Sequence, residues 1–373
     1  MAGPAIRQHG VPNHPFQRPR LRAASAALVV FLAGTVTAGA QVLITVNDDV
    51  NFRLGVLGQF QADWLENPGA DATANLFIRR VRLLFGGQVA RNVSFFVETD
   101  APNLGRVLPG GKNISPGVIV QDAYAEFRAG DWLMVDAGLM FVPFSRQSVQ
   151  SAASLLALDY GAYTFAHSGP TQSSVGRDTG FQARGYFLGN RLEYRAGAFQ
   201  GAEGPGPGRS LRFTGRLQYQ FLEAEGTGYF YTGTYLGAKR VAAAGAAFDA
   251  QEDYRAYNVD VFIDHPLGPG AVTAQLAYNH YDGAGTLRTL PEQDIVLLEL
   301  GYFLPGPKLT PVVQFTRRNG REGGVADDTR WSVGLNYWLH RHNANVKAAY
   351  GRIEPQGAAA RGQFTIQLQM FYF

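Results

Sequence analysis

Arginine and carboxylate side chains recur along this chain at spacings that place them on one face of an extended backbone. Arg80 and Arg82 are two residues apart, as are Glu193 and Arg195, and Arg212 and Arg216 are four apart. Arg184, Arg330 and Lys347 hold the same phase within their own segments, and so do Glu98, Asp122, Glu126, Asp136, Asp260 and Glu299. A guanidinium stays protonated at physiological pH and offers a planar fork of donors that fits phosphate and carboxylate groups. Such charges gathered at a narrow passage select ions by sign; paired with the neighbouring acids, they only hydrate a wall. Arg82, Arg184, Arg195 and Arg216, near the middle of their segments, are the candidates for the first role. Other chemistries have thinner support. Cysteine is absent, which removes thiolate nucleophiles and cysteine-ligated metals. Beyond residue 40 the histidines are His167, His265, His280, His340 and His342, and no G-x-S-x-G occurs to supply a serine nucleophile. His340 and His342 are two ligands at most, a weak metal site, so neither a catalytic residue nor a cofactor is expected.

The elements that must position these charges are strands. Phe52, Leu54, Val56, Phe60, Ala62 and Trp64 alternate with Arg53, Gln59, Gln61 and Asp63. Leu211, Phe213, Leu217, Tyr219 and Phe221 alternate with Arg212, Thr214, Arg216, Gln218 and Gln220. A period of two with one apolar and one polar face marks a strand between two different media. Sixteen such segments begin near residues 52, 75, 93, 118, 132, 179, 191, 210, 228, 254, 271, 294, 309, 328, 344 and 363. Short connections such as 91–92, 130–131 and 189–190 interleave with longer ones at 66–74, 101–117, 142–178, 201–209, 238–253, 282–293, 319–327 and 353–362. Short turns at one end and long loops at the other are the pattern of a transmembrane β-barrel, and no run of 18 apolar residues offers a spanning helix. The expected fold is therefore all-β: an antiparallel barrel of about 16 strands over residues 41–373. Aromatic girdles at its two interfaces are expected from Trp64, Trp132, Tyr160, Tyr281, Tyr302, Trp338 and Tyr350.

The sequence pI of about 9.0 belongs to one end of the chain. Of 33 basic and 30 acidic residues, four arginines (Arg7, Arg18, Arg20, Arg22) and no acid lie in residues 1–40, which leaves 29 against 30. A basic stretch, the apolar run Ala26–Val36 and the small residues Ala38-Gly39-Ala40 have the form of a secretory signal peptide cleaved after Ala40. The remaining chain is close to neutral, which argues against nucleic acid as a partner.

The connection 142–178 is the longest, and its stretch 147–160, free of glycine and proline, is expected to form a helix. Around it stand Phe77-Ile78-Arg79-Arg80-Val81-Arg82-Leu83, Asp122-Ala123-Tyr124-Ala125-Glu126-Phe127, Val142-Pro143-Phe144-Ser145-Arg146, Gly180-Phe181-Gln182-Ala183-Arg184-Gly185-Tyr186, Tyr194 to Gly201 and Val333 to Trp338. In this order they resemble the phosphate-selective porin O and P family over about residues 51–373. The resemblance implies a sixteen-stranded outer-membrane barrel, commonly a homotrimer, whose long third loop folds into the lumen and narrows a basic pore. On that reading Arg80, Arg82, Arg184, Arg195, Arg212 and Arg216 line the pore and bind anions, while Phe144, Ser145, Arg146 and Asp159 belong to the constriction loop. The expected function is passive diffusion of small hydrophilic or anionic solutes across outer-membrane lipid, with a mild anion preference in which phosphate is one candidate. Lysine is scarce, so a dense basic ladder devoted to phosphate is not expected. The terminal Phe373 resembles the aromatic that the barrel assembly machinery recognises, although it is out of phase with Phe364, Ile366, Leu368 and Met370. A barrel hydrolase and a closed structural or adhesive barrel are the alternatives.

Overall fold

The computed structural model describes residues 42–373 apart from 109, 116, 203–209, 227 and 322–324, so the expected leader lies outside the described residues. A short strand β1 (Val42–Asn47) leads into the wall strands β2 (Val50–Asn67), β3 (Ala70–Ala90) and β4 (Val93–Asp100). A small hairpin, β5 (Val107–Leu108) and β6 (Gly111–Lys112), stands apart from the wall. The wall resumes with β7 (Ile119–Gly130), β8 (Leu133–Phe141), β9 (Arg177–Phe187), β10 (Leu192–Phe199), β11 (Arg212–Gln220) and β12 (Val241–Gln251). It is completed by β13 (Tyr254–Leu267), β14 (Gly270–Asp282), β15 (Gln293–Phe303), β16 (Leu309–Gly320), β17 (Asp328–His340), β18 (Ala344–Pro355) and β19 (Arg361–Tyr372). Each wall strand pairs antiparallel with its neighbours, and β19 returns to β2 from Gln363 opposite Leu65 to Tyr372 opposite Val56. Sixteen strands thus close on themselves. Closure satisfies the backbone from strand to strand, which hydrocarbon demands because it offers no hydrogen bonds of its own.

The two faces of this wall are the reverse of a soluble protein's. On β11 Phe213, Leu217 and Tyr219 point out and are exposed, while Arg212, Thr214, Arg216, Gln218 and Gln220 point in and are buried. An apolar exterior with a polar interior is what a barrel in lipid needs. A charge at mid-strand on the outer face costs about 2–4 kcal/mol at the bilayer midplane. Val333→Arg, on the exposed face of β17, should therefore lower the free energy of unfolding in lipid vesicles by up to that amount, whereas Ser332→Arg, beside the inner cleft, should fold nearly as the wild type does. Equal losses from the two would reverse the assignment of the faces.

Four expectations are corrected. The segment starting near 228 is no strand: it belongs to the connection between β11 and β12, and residues 241–251, expected within a loop, form β12. Strand β12 reads Val-Ala-Ala-Ala-Gly-Ala-Ala-Phe-Asp-Ala-Gln, with small residues on both faces, so its alternation carries little contrast. One of those small residues has a structural reason. A Cβ on Gly245 would meet the Arg216 guanidinium at 2.5 Å and Asp260 at 2.9 Å. The expected loop 66–74 is only the turn at Pro68 and Gly69, since β2 and β3 extend beyond the alternating core. The stretch 147–160 holds one short 3-10 turn, Gln147–Val149, and then bends and turns. Of the girdle aromatics, Trp64, Trp132 and Tyr350 are exposed on the outer face, but Tyr281 and Trp338 are buried inside and Tyr160 lies on the long loop.

Candidate pore and its two inserted segments

The loop after β8 is held by side chains from most of the wall. The Gln59 amide on β2 donates to Ala152 O at 3.1 Å and that of Gln369 on β19 to Ala153 O at 2.8 Å. Lys347 on β18 donates to Leu155 O and Ala157 O at 2.6 and 2.9 Å, and Asn336 on β17 donates to Leu156 O at 2.7 Å. Loop amides reach the opposite wall: Gln150 donates to Gln275 on β14 at 2.7 Å, Gln147 to Glu299 on β15 at 3.0 Å, and the Arg146 backbone to Asp260 on β13 at 2.8 Å. Phe144, Ser145 and Arg146 are buried in this packing, and Arg146 is held by Glu225 in two hydrogen bonds of 2.7 and 2.5 Å. Nearby, burial and then the Arg212 charge lower the pKa of His167 to about 3. His167 is therefore neutral at physiological pH and adds no cation to the lumen.

Beside the loop, at the end of the barrel with the long connections, a cleft of about 470 Å³ opens between Asp159-Tyr160-Gly161 and strands β2, β3 and β16 to β19. Arg79, Arg80, Arg106, Arg330 and Arg352 line it, against the carboxylates Asp63 and Asp159. A β-bulge builds its centre. Gln59 pairs with Arg80 and Phe60 with Ile78, which leaves Arg79 as the extra residue. Two successive arginines therefore turn to one carboxylate: Arg79 Nε to Asp159 Oδ2 at 2.8 Å and Arg80 Nη2 to Asp159 Oδ1 at 2.6 Å. Burial alone would raise the Asp159 pKa, yet the two guanidiniums outweigh it and hold this carboxyl below the ordinary range, so it stays ionised. Arg106, at 3.3 Å from Asp63, and Arg330, at 2.9 Å from Asp328, keep more than a third of their side chains exposed. Of these cleft cations, sequence reasoning put Arg80 and Arg330 on the inner face and missed Arg79 and Arg106, one displaced by the bulge and the other in a connection without periodicity.

The arginines expected to line the pore do face inward, but they do not meet open water. Arg80, Arg82, Arg184, Arg195, Arg212 and Arg216 are all 5% exposed or less. Carboxylates on the same strand or one or two strands away cover five of them: Arg82 lies at 2.7 Å from Glu98 and 2.9 Å from Asp100, Arg184 against Glu126 and at 3.0 Å from Asp136, Arg195 at 2.7 Å from Glu193, Arg212 at 2.5 Å from Asp249, and Arg216 at 2.8 Å from Asp260. Register adds a feature that no single strand shows. Arg195 stands directly opposite Arg184 on one side and Arg216 on the other, a row of three across β9, β10 and β11. Like charges directly opposite are unfavourable, and the acids offset them.

A second segment enters from the end with the short turns. After β11 the chain rises into the lumen: Tyr229 OH donates to Phe141 O at 3.0 Å, and the Phe230 ring meets Phe96 and Phe141 edge-on at 5.6 and 5.8 Å. The segment then crosses to β13, where Tyr235 N donates to Asp264 at 2.7 Å, and His342, in the turn before β18, lies 2.9 Å from Thr234 O. His342 is half-buried there, and Phe373 turns inward onto Phe96 at 5.6 Å.

Comparison with known proteins fits this architecture. The profile of the phosphate-selective porin O and P family matches residues 50–262. Among solved structures, OmpF of Salmonella typhi in complex with daunomycin is similar at 14% identity over 88% of this chain and 100% of that chain, with a TM-score of 0.60. The outer membrane channel DcaP of Acinetobacter baumannii is similar at 12% identity over 88% and 99%, with a TM-score of 0.57. A loop L8 deletion mutant of OmpT, an outer membrane protein of Vibrio cholerae, is similar at 13% identity over 87% and 100%, with a TM-score of 0.54. At such identities the likeness is one of fold. No curated protein matches the chain.

Proposed function

The chain belongs to the phosphate-selective porin O and P family and is a porin of the bacterial outer membrane, and on that premise we propose that it passes small hydrophilic solutes by diffusion with a mild preference for anions. The observation that carries the preference is the cleft, whose lining holds five arginines and two carboxylates. Arg352 and Glu354 pair with each other on the outward phase of Tyr350, so on the inner face four arginines, Arg79, Arg80, Arg106 and Arg330, meet three carboxylates, Asp63, Asp159 and Asp328. That excess is small, and it supports a bias in sign and not a site dedicated to one anion. The loop carrying Phe144, Ser145, Arg146 and Asp159 is the constriction in this reading, because it crosses the lumen between the cleft and the far mouth.

Reconstitution into liposomes tests the reading. Vesicles holding the folded protein should swell in isotonic solutions of small neutral sugars and small organic anions, and more slowly as solute size grows. Vesicles that stay as tight as protein-free controls for every solute would favour a closed structural barrel instead.

A further inference from the structure

The segment that enters from the short-turn end is bonded to the long loop as closely as to the wall. Tyr231 N donates to Val149 O and Ser151 N donates to Tyr231 O, both at 3.1 Å, which makes a parallel bridge between Gln150 and Tyr231. Two residues on, Gly233 N donates to Ser154 Oγ at 3.1 Å, and a Cβ at Gly233 would lie 2.6 Å from Ser154 O, so the two chains touch where no side chain fits. Below them Glu225, from the same connection, holds the buried Arg146 guanidinium. The rings of this segment cover the arginine row. Tyr229 lies 5.3 Å from both Arg184 and Arg195, and Tyr231 lies 4.8 Å from Arg195 and 5.4 Å from Arg216, within the range of cation–π attraction.

We propose that residues 229–235 are a gate at the short-turn end of the barrel, which shuts the passage beneath the long loop and hides the Arg184–Arg195–Arg216 row until it withdraws. The proposal rests on reading the barrel as a channel. Withdrawal does not require the wall to unfold, because the ladder from β11 to β12 and onward is complete without this segment. Many of its anchors are hydrogen bonds to charged groups, Glu193, Asp264 and Arg146 among them, which water can replace. When it leaves, the passage widens and three adjacent guanidiniums meet the solution, so conductance and anion preference rise together.

The test uses the full-length protein, whose sequence has no cysteine to interfere. Gln150→Cys with Tyr231→Cys places a pair across the bridge, a separation that a disulfide spans. In planar bilayers the oxidised form should conduct at or below the wild-type level, and reduction should raise conductance several-fold while the reversal potential in a KCl gradient moves toward chloride. Glu225→Gln, which leaves both backbones intact, should raise the fraction of time spent in the larger conductance. Folding of each variant is read by far-ultraviolet circular dichroism. If wild type conducts and both folded variants match it in every condition, the gate is overturned while the channel reading stands. If none of the three conducts, reduced or oxidised, the channel reading itself fails and the gate with it. A rise in conductance without any change in reversal potential would overturn the covering role of Tyr229 and Tyr231.

Discussion

Replacing Arg79, Arg106 and Arg330 together by glutamine should change the channel from mildly anion-preferring to cation-preferring. The three line the cleft, each keeps part of its side chain in water, and none is needed to close the wall. Their loss leaves Arg80 as the one inner-face arginine of the cleft against Asp63, Asp159 and Asp328, so acids outnumber cations. Selectivity of this origin is electrostatic and screened. It should weaken with salt as the Debye length falls from ~10 Å at 0.1 M to ~3 Å at 1 M. The opposite change, Asp159→Asn, frees Arg79 and Arg80 from their shared carboxylate and should strengthen the preference for chloride.

Arg212→Ala should instead be a stability variant. Arg212 and Asp249 form a fully buried pair at 2.5 Å, and Asp249 also accepts from Tyr254 OH at 2.8 Å. Removing one partner of such a pair strands the other charge out of water, at a cost of about 3–5 kcal/mol. Equilibrium unfolding in detergent should show that loss, and the double change Arg212→Ala with Asp249→Ala should recover most of it. Reversal potentials of the folded fraction should stay near the wild type. An Arg212→Ala protein as stable as the wild type would mean that water already reaches the pair.

How much of this could be read in advance depended on contrast between the faces. Strand β11 was legible because arginines and glutamines alternate with leucine and aromatics, one set for the lumen and one for lipid. Strand β12 was not, since alanine and glycine occupy both faces, and one of them, Gly245, leaves room for Arg216. Residues 229–237 misled for the converse reason: Tyr229, Tyr231 and Tyr235 share one phase as on a strand, yet Tyr229 and Tyr231 are buried against arginines and other aromatics inside the lumen. One spurious strand and one missing strand cancelled, so the number sixteen came out right while one of its members was misplaced. The phase of the inner arginines was also legible. Their pairing was not, because the partners often lie on another strand, as Asp136 on β8 does for Arg184 and Asp260 on β13 for Arg216, at heights fixed by register. The bulge at Arg79 shifts that register by one residue, a change that the pattern of residue types does not carry.

The reversal potential of the wild-type channel in a KCl gradient at low ionic strength tests the central claim most directly. Excess cations in the cleft and neutralised arginines below it predict that chloride is moderately the more permeant ion, with the difference fading as salt rises. A channel that prefers potassium at low salt would contradict the account, because carboxylates would then govern the path that solutes take.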